Sequence, residues 1–215
     1  MPITAVIFDL DGVIVSTDEF HYQGWQRLAD EEGIPFDRHV NERLRGVSRM
    51  ESLEIILERA TRTYTAAQRE AMATRKNGYY RELLASRLTA ADILPGVDNF
   101  LAELRRCGVK TAIGSSSRNS PTILRMIGFD QTFDATADGN DITRSKPDPE
   151  VFLLAASRLG VPPMSCLVVE DAEAGVTAAL AAGMRVLAVG SAASDSRAQY
   201  RADSLAAISA ATVLT

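Results

Sequence analysis

A chain of 215 residues, 46% apolar and 24% charged, can build one large domain or a core carrying a smaller one. Its net charge of −5 argues against nucleic acid as a partner, and makes placed Lys, Arg or metal the source of positive charge for any anionic substrate. Cys107 and Cys166 lack metal-ligand spacing, no basic-then-apolar leader opens the chain, and no apolar run nears the roughly 20 residues of a membrane span. A cytoplasmic protein without a disulfide framework or a membrane partner is therefore expected.

In chain order, Ile3 to Phe8 is a short Val/Ile-rich run, the pattern of a buried strand. The stretch from about Phe20 to Leu88 has no strand-like run. It carries helical patterns over Tyr22 to Glu32, Met50 to Ala60 and Ala66 to Leu84. Strand-like runs return at Val109 to Ile113, weakly at Phe133 to Thr136, then at Leu167 to Val169 and Arg185 to Val189. Between them lie helical stretches over 98–107, 121–127, 149–159 and 174–182. Gly108, Gly128, Gly160 and Gly183 stand where helix ends want glycine. The Ala-rich tail from Ala202 to Ala211 reads as a terminal helix. Strands alternating with helices predict an α/β fold, a Rossmann-like doubly wound parallel sheet. A parallel crossover needs only a dozen or more residues. The long helical stretch after the first strand is therefore read as an inserted all-helical cap domain, 17–92, with 1–16 and 93–215 forming the core.

Open parallel sheets bind ligands beyond the carboxyl ends of their strands. Four polar clusters follow four of the predicted strands: Asp9-Leu10-Asp11-Gly12, Ser115-Ser116-Ser117-Arg118-Asn119, Lys146-Pro147-Asp148-Pro149 and Glu170-Asp171. Each alone has a plain alternative. The first makes a turn, the serines cap a helix, Lys146 is a solvated loop residue, and Glu170-Asp171 suit a helix dipole. Their joint placement at strand ends favours a site. Clustered carboxylates call for a cation, and hard oxygen donors suit Mg²⁺. With no His base or Cys thiolate nearby, a carboxylate is the natural covalent carrier, and phosphoryl transfer asks mainly for positioning and charge neutralisation.

These clusters resemble, in order, the four motifs of the haloacid dehalogenase superfamily, and the insertion point matches the helical cap of one of its cap classes. In the cap, Leu44 to Ser52 (LRGVSRMES) and Arg75-Lys76-Asn77, with FDLDGVIVSTDEFH over Phe8 to His21, are similar to that superfamily's hexose-phosphate mutases. The resemblance implies interconversion of β-glucose 1-phosphate and glucose 6-phosphate through the 1,6-bisphosphate. A sugar-phosphate phosphatase is the alternative. By the same resemblance, Asp9 is nucleophile and Mg²⁺ ligand. Asp11 is general acid/base and offers its main-chain carbonyl to the metal, and Glu170 and Asp171 complete the metal site. Ser115 and Lys146 bind the transferring phosphoryl group, and Ser116 is among the substrate-binding residues. Gly46, Val47, Ser48, Arg49, Ser52, Ser117, Arg118 and Asn119 hold the sugar and its distal phosphate. Lys76 orients the sugar, and Thr17 and His21 position Asp11. Arg45 and Arg118 stand where that family commonly carries lysine. Trp25 is read as cap packing that also lines the sugar pocket, and His39 as surface. A monomer is expected.

Overall fold

The computed structural model describes residues 1–214. Its contacts divide the chain into two units, Met1–Ser16 with Thr89–Thr215, and Thr17–Leu88. Residues 89–92, expected in the helical insertion, go with the first unit. There Ser16 N donates to the Asp92 carbonyl (3.4 Å) and Val15 bridges Ile93.

The first unit is built on six parallel strands: β1 (Ala5–Phe8), β2 (Lys110–Gly114), β3 (Ala135–Ala137), β4 (Cys166–Glu170), β5 (Arg185–Ala188) and β6 (Tyr200–Arg201). Their order is β3-β2-β1-β4-β5-β6, which puts β1 between β2 and β4. Every residue of β1 and β4 is buried, because both sheet faces are covered. Ala5 and Ile7 of β1 join a cluster with Val151 and Phe152 of α7 (Glu150–Leu159) and Val176 and Ala179 of α8 (Glu173–Ala181). Phe8 meets the Phe100 ring of α5 (Val97–Arg106) edge-on at 6.2 Å. Continuous apolar runs, not alternation, are what two covered faces require. A further helix, α6 (Ser120–Met126), follows β2.

β6 carries little apolar signal and was not expected. It exists because Tyr200 and Arg201 pair with Leu187 and Ala188 of β5. The tail corrects a second expectation. Instead of one helix over 202–211 it forms a 3₁₀ turn (Leu205–Ala207) and a short α9 (Ala210–Leu214). Alanine propensity is outweighed by main-chain bonds that hold the tail extended: Ala202 N donates to the Ala188 carbonyl and Gly190 N to that of Asp203.

The second unit contains α1 (Asp18–Glu32), α2 (Arg38–Glu42), α3 (Arg49–Leu57) and α4 (Ala66–Arg87). Trp25, Leu28, Leu53, Ile56, Met72 and Ala73 make its core. Both α3 and α4 begin with a capping box, Ser48 with Glu51 and Thr65 with Gln68. α2 was not expected; its five residues start from an Asp37 cap on Val40 N (2.9 Å).

Candidate active site

The chain leaves β1 into a tight turn. Asp9 N donates to the Val169 carbonyl (3.0 Å), and Ile14 N and Val15 N both donate to that of Leu10. The turn places Asp9 beside the end of β4, where Glu170 and Asp171 emerge. Among the described residues, Asp9, Glu170 and Asp171 form the group of carboxylates able to share a metal ion. One oxygen from each lies within 4.8 Å of the others, and all three side chains are buried. The Asp11 carboxylate stands outside that group and is half-buried; its expected ligand atom is the main-chain carbonyl.

Lys146 closes the site from the loop after β3. Its side chain is only 2% exposed, and Nζ lies 2.6 Å from Asp9 Oδ1 and 2.5 Å from Glu170 Oε1, which rules out a solvated loop lysine. Burial alone would push the ammonium's pKa down. The charges of Asp9 and Glu170 outweigh it and raise the pKa, so Lys146 is a fixed cation. Burial lifts the Glu170 carboxyl above its ordinary range, Lys146 pulls it back, and the Asp9 charge adds to the rise. Asp9 and Glu170 share one ammonium and Asp171 adds a third carboxylate to the same buried group, so acidic side chains outnumber the cation. A divalent cation with hard-oxygen preference answers that imbalance, so the donor set fits such an ion.

Glu170 also does what a plain helix cap would do. Its Oε2 accepts from Asp171 N (2.9 Å) and Ala172 N (3.0 Å) at the start of α8. This seat depends on Gly175, where a Cβ would overlap the Glu170 carboxylate. Ser191 Oγ holds the Asp171 carbonyl at 2.6 Å.

The serine loop follows β2. Ser115 is buried and its N donates to the Ala137 carbonyl (3.1 Å). Ser115 Oγ accepts from Ser117 N, and Ser117 Oγ from Asn119 N, both at 3.2 Å. Ser116 Oγ accepts from Lys146 N (3.3 Å), tying this loop to the lysine. These serines therefore fold the loop as well as offering it to a ligand. Arg118 is exposed, and Asn119 stands just before α6.

Within the helical unit, Lys76 is buried at 2% exposure with Nζ 2.8 Å from His21 Nδ1. Nζ sits 4.6 Å from the centre of the Trp25 ring and 5.0 Å from that of Tyr80. An ammonium only donates, so His21 Nδ1 is assigned as acceptor and the ring proton to Nε2. The environment agrees. Burial first, then the charges of Lys76 and Arg49, hold the His21 pKa well below its ordinary value, so the ring is neutral. Tyr80 stacks on His21 at 4.0 Å and donates its hydroxyl to Thr17 Oγ1 (2.9 Å). Trp25 is buried in the helical core, and its ring supports Lys76.

The structure thus brings Asp9, Ser115, Ser116, Lys146, Glu170 and Asp171 to one edge of the sheet, and gathers Thr17, His21, Trp25 and Lys76 in the helices. Gly46, Val47 and Ser48 make the turn into α3. Arg49 is that helix's first residue, Ser52 is buried in its first turn, and Ser48 is engaged in capping it. Arg45 pairs with Asp18 at 2.7 Å. Sequence reasoning missed the roles of Gly175 and of Tyr80. Gly175 lies five residues beyond Glu170, a spacing that invites a close helix approach. Tyr80 follows Lys76 by one helical turn.

The description "haloacid dehalogenase-like hydrolase" belongs to the family model that matches residues 3–183. The chain is 47% identical over 188 residues to the β-phosphoglucomutase of Bacillus subtilis, covering 86% of this chain and 83% of the relative. It is 30% identical over 208 residues to a phosphorylated carbohydrates phosphatase of Thermotoga maritima, covering 95% and 93%. The crystal structure of β-phosphoglucomutase from Clostridium difficile superposes with a TM-score of 0.91 at 38% identity, covering 98% of this chain and 95% of that one. Site chemistry, fold and sequence similarity meet in one conclusion: the chain belongs to the haloacid dehalogenase-like hydrolase family.

Proposed function

We propose that this chain is a phosphomutase that interconverts β-D-glucose 1-phosphate and D-glucose 6-phosphate through β-glucose 1,6-bisphosphate. The observation that carries it is the buried Asp9–Lys146–Glu170 arrangement beside Asp171, in a chain nearly half identical to a β-phosphoglucomutase. An Asp9 carboxylate oxygen attacks one phosphorus of β-glucose 1,6-bisphosphate. The bond from phosphorus to the sugar oxygen breaks, and that oxygen takes a proton from Asp11. In the return step Asp11 removes a proton from the free hydroxyl of a glucose monophosphate, whose oxygen attacks the phosphorus on Asp9, re-forming the 1,6-bisphosphate and freeing the Asp9 carboxylate. Lys146, Ser115 and Ser116 hold the transferring group's equatorial oxygens, where charge is spread in the transition state. Asp9, Glu170, Asp171 and the Asp11 carbonyl would hold Mg²⁺, which when bound neutralises charge on the phosphoryl oxygens.

Arg49, Lys76, Gly46, Val47, Ser48, Ser52, Ser117, Arg118 and Asn119 are assigned to the sugar and its distal phosphate. Thr17 and His21 are assigned to positioning Asp11, with Tyr80 fixing both. The protein acts on small sugar phosphates in the cytoplasm, as a monomer. No helix among the described residues is long and apolar enough to cross a membrane.

The test is incubation with β-glucose 1-phosphate, Mg²⁺ and a trace of β-glucose 1,6-bisphosphate. Glucose 6-phosphate is followed by a coupled dehydrogenase and free phosphate is measured in parallel. Glucose 6-phosphate should form quickly, and Asp9→Asn should lower the rate by about 10³-fold or more, as loss of a covalent nucleophile does. Phosphate release without isomerisation would replace this reading with a sugar-phosphate phosphatase.

A further inference from the structure

The segment Asp138-Gly139-Asn140-Asp141 leaves the end of β3 at the same sheet edge as the serine loop leaves β2, since β3 pairs beside β2 with Ala137 opposite Gly114. Its Asx residues fold it on itself. Asp138 Oδ1 accepts from both Asn140 N (2.8 Å) and Asn140 Nδ2 (2.9 Å), and Asp141 Oδ2 accepts from Asp138 N (3.0 Å). The turn is anchored from outside, because Arg158 grips the Asp141 carboxylate with both terminal nitrogens at 2.8 Å. Asp138 is buried, whereas Asn140 is exposed.

This turn is bonded to Arg118 at two points. Asn140 Nδ2 donates to the Arg118 carbonyl (3.0 Å), and Arg118 Nε donates to the Gly139 carbonyl (3.1 Å). Gly139 N adds a bond to the Ser117 carbonyl (3.2 Å). The two loops approach so closely that a Cβ on Gly139 would collide with the Ser116 carbonyl and lie 3.0 Å from Arg118 N. Main chain and side chain of Arg118 are thus held by one four-residue turn, the first through Asn140 and the second through Gly139. With Nε engaged, the guanidinium presents its end-on pair, Nη1 and Nη2, the edge that matches two oxygens of a phosphate.

We propose that Asp138 and Asn140 are positioning residues that aim Arg118 at an anionic oxygen pair of the sugar phosphate. This rests on the assignment of Arg118 to substrate binding under the proposed function. A long, exposed arginine ordered only on binding weakens the complex, and the turn removes that loss in advance.

The test is a double-mutant cycle on Asn140→Ala and Arg118→Ala, read as KM and kcat for β-glucose 1-phosphate. N140A should raise KM about three- to tenfold, the loss from ordering one long side chain, with kcat unchanged. R118A should raise KM further, and adding N140A to R118A should change nothing more, because the asparagine acts through the arginine. Asp138→Asn keeps the shape but weakens the acceptor that anchors Asn140, and should raise KM in the same direction. An unchanged KM in N140A, or losses that multiply in the double variant, would overturn the proposal. Should the wild type release phosphate without isomerising, the proposed function fails, while the same cycle read on the KM for hydrolysis still decides the role of Asn140.

Discussion

Lys146 shows how much one side chain decides. It is the cation between two buried carboxylates, and its removal leaves Asp9 and Glu170 facing one another with no counter-charge. Lys146→Ala should lower stability by about 3 kcal/mol in metal-free buffer, the usual penalty for breaking a buried pair. Denaturant unfolding measures it, and Mg²⁺ should restore part of the loss; equal midpoints for variant and wild type would show the carboxylates are not charged as described. His21 supplies a pH dependence of known sign. Its folded pKa lies well below 6.5, so below that pH the unfolded chain takes up a proton that the folded chain refuses. Its contribution is therefore intact above about pH 6.5 and is lost as pH falls towards the folded pKa, at no more than about 1.4 kcal/mol per pH unit. Carboxylates with lowered pKa values, such as Glu19, Asp37 and Asp141, act below about pH 4.5, in a separate window. Urea unfolding at pH 7.5, 6.5 and 5.5 should show the acid loss in wild type and little of it in His21→Asn, which keeps an acceptor near Lys76. A parallel loss in both proteins would mean that His21 is not the group titrating.

At the scale of elements, the candidate site is a set of helix and strand termini. The start of α8 receives the Glu170 carboxylate on two main-chain amides, and it can do so only because Gly175 has no side chain. Gly175→Ala should leave the fold in place by circular dichroism yet weaken Mg²⁺ binding by about 10- to 100-fold, the range seen when a ligand's support is removed. Titration calorimetry reads this directly, and unchanged affinity would mean that Glu170 has room to move. Capping explains why Ser48 is ambiguous from sequence alone. A serine before an apolar run with glutamate three residues on is a helix start whether or not a sugar binds there, and the structure has it capping α3.

For the molecule as a whole, metal binding and folding are linked. If the carboxylate group binds Mg²⁺ only when folded, Mg²⁺ at a hundredfold excess over its Kd should stabilise the α/β unit by about 2.7 kcal/mol, and should do nothing for Asp171→Asn. Thermal melts with and without EDTA separate the two cases, and equal shifts in wild type and variant would place the ion elsewhere. Much of this could be read from the chain before any fold was known. Apolar runs at Ile3–Phe8 and Leu167–Val169 mark buried parallel strands, because only strands covered on both faces need no polar side. The residues following those runs are then brought to one edge by topology alone, and so Asp9, Ser115, Lys146, Glu170 and Asp171 could be named together. Other features were decided only by tertiary structure. β6 and the broken tail depend on main-chain bonds to distant partners, which leave no trace in local pattern. That the Lys146 ammonium sits between two carboxylates is decided only when the sheet brings the loop after β3 beside the ends of β1 and β4. Tyr80 reads as packing until the pairing of α1 with α4 sets its hydroxyl on Thr17. Asp138 and Asn140 follow a weak strand of three residues, and their bonds to Arg118 exist only because β3 lies beside β2. Residue type and period alone set which chemistry is available and at which end of the strands it gathers. Charge balance, helix supports and loop braces belong to the tertiary structure, because they arise from residues far apart in sequence that meet only in the folded chain.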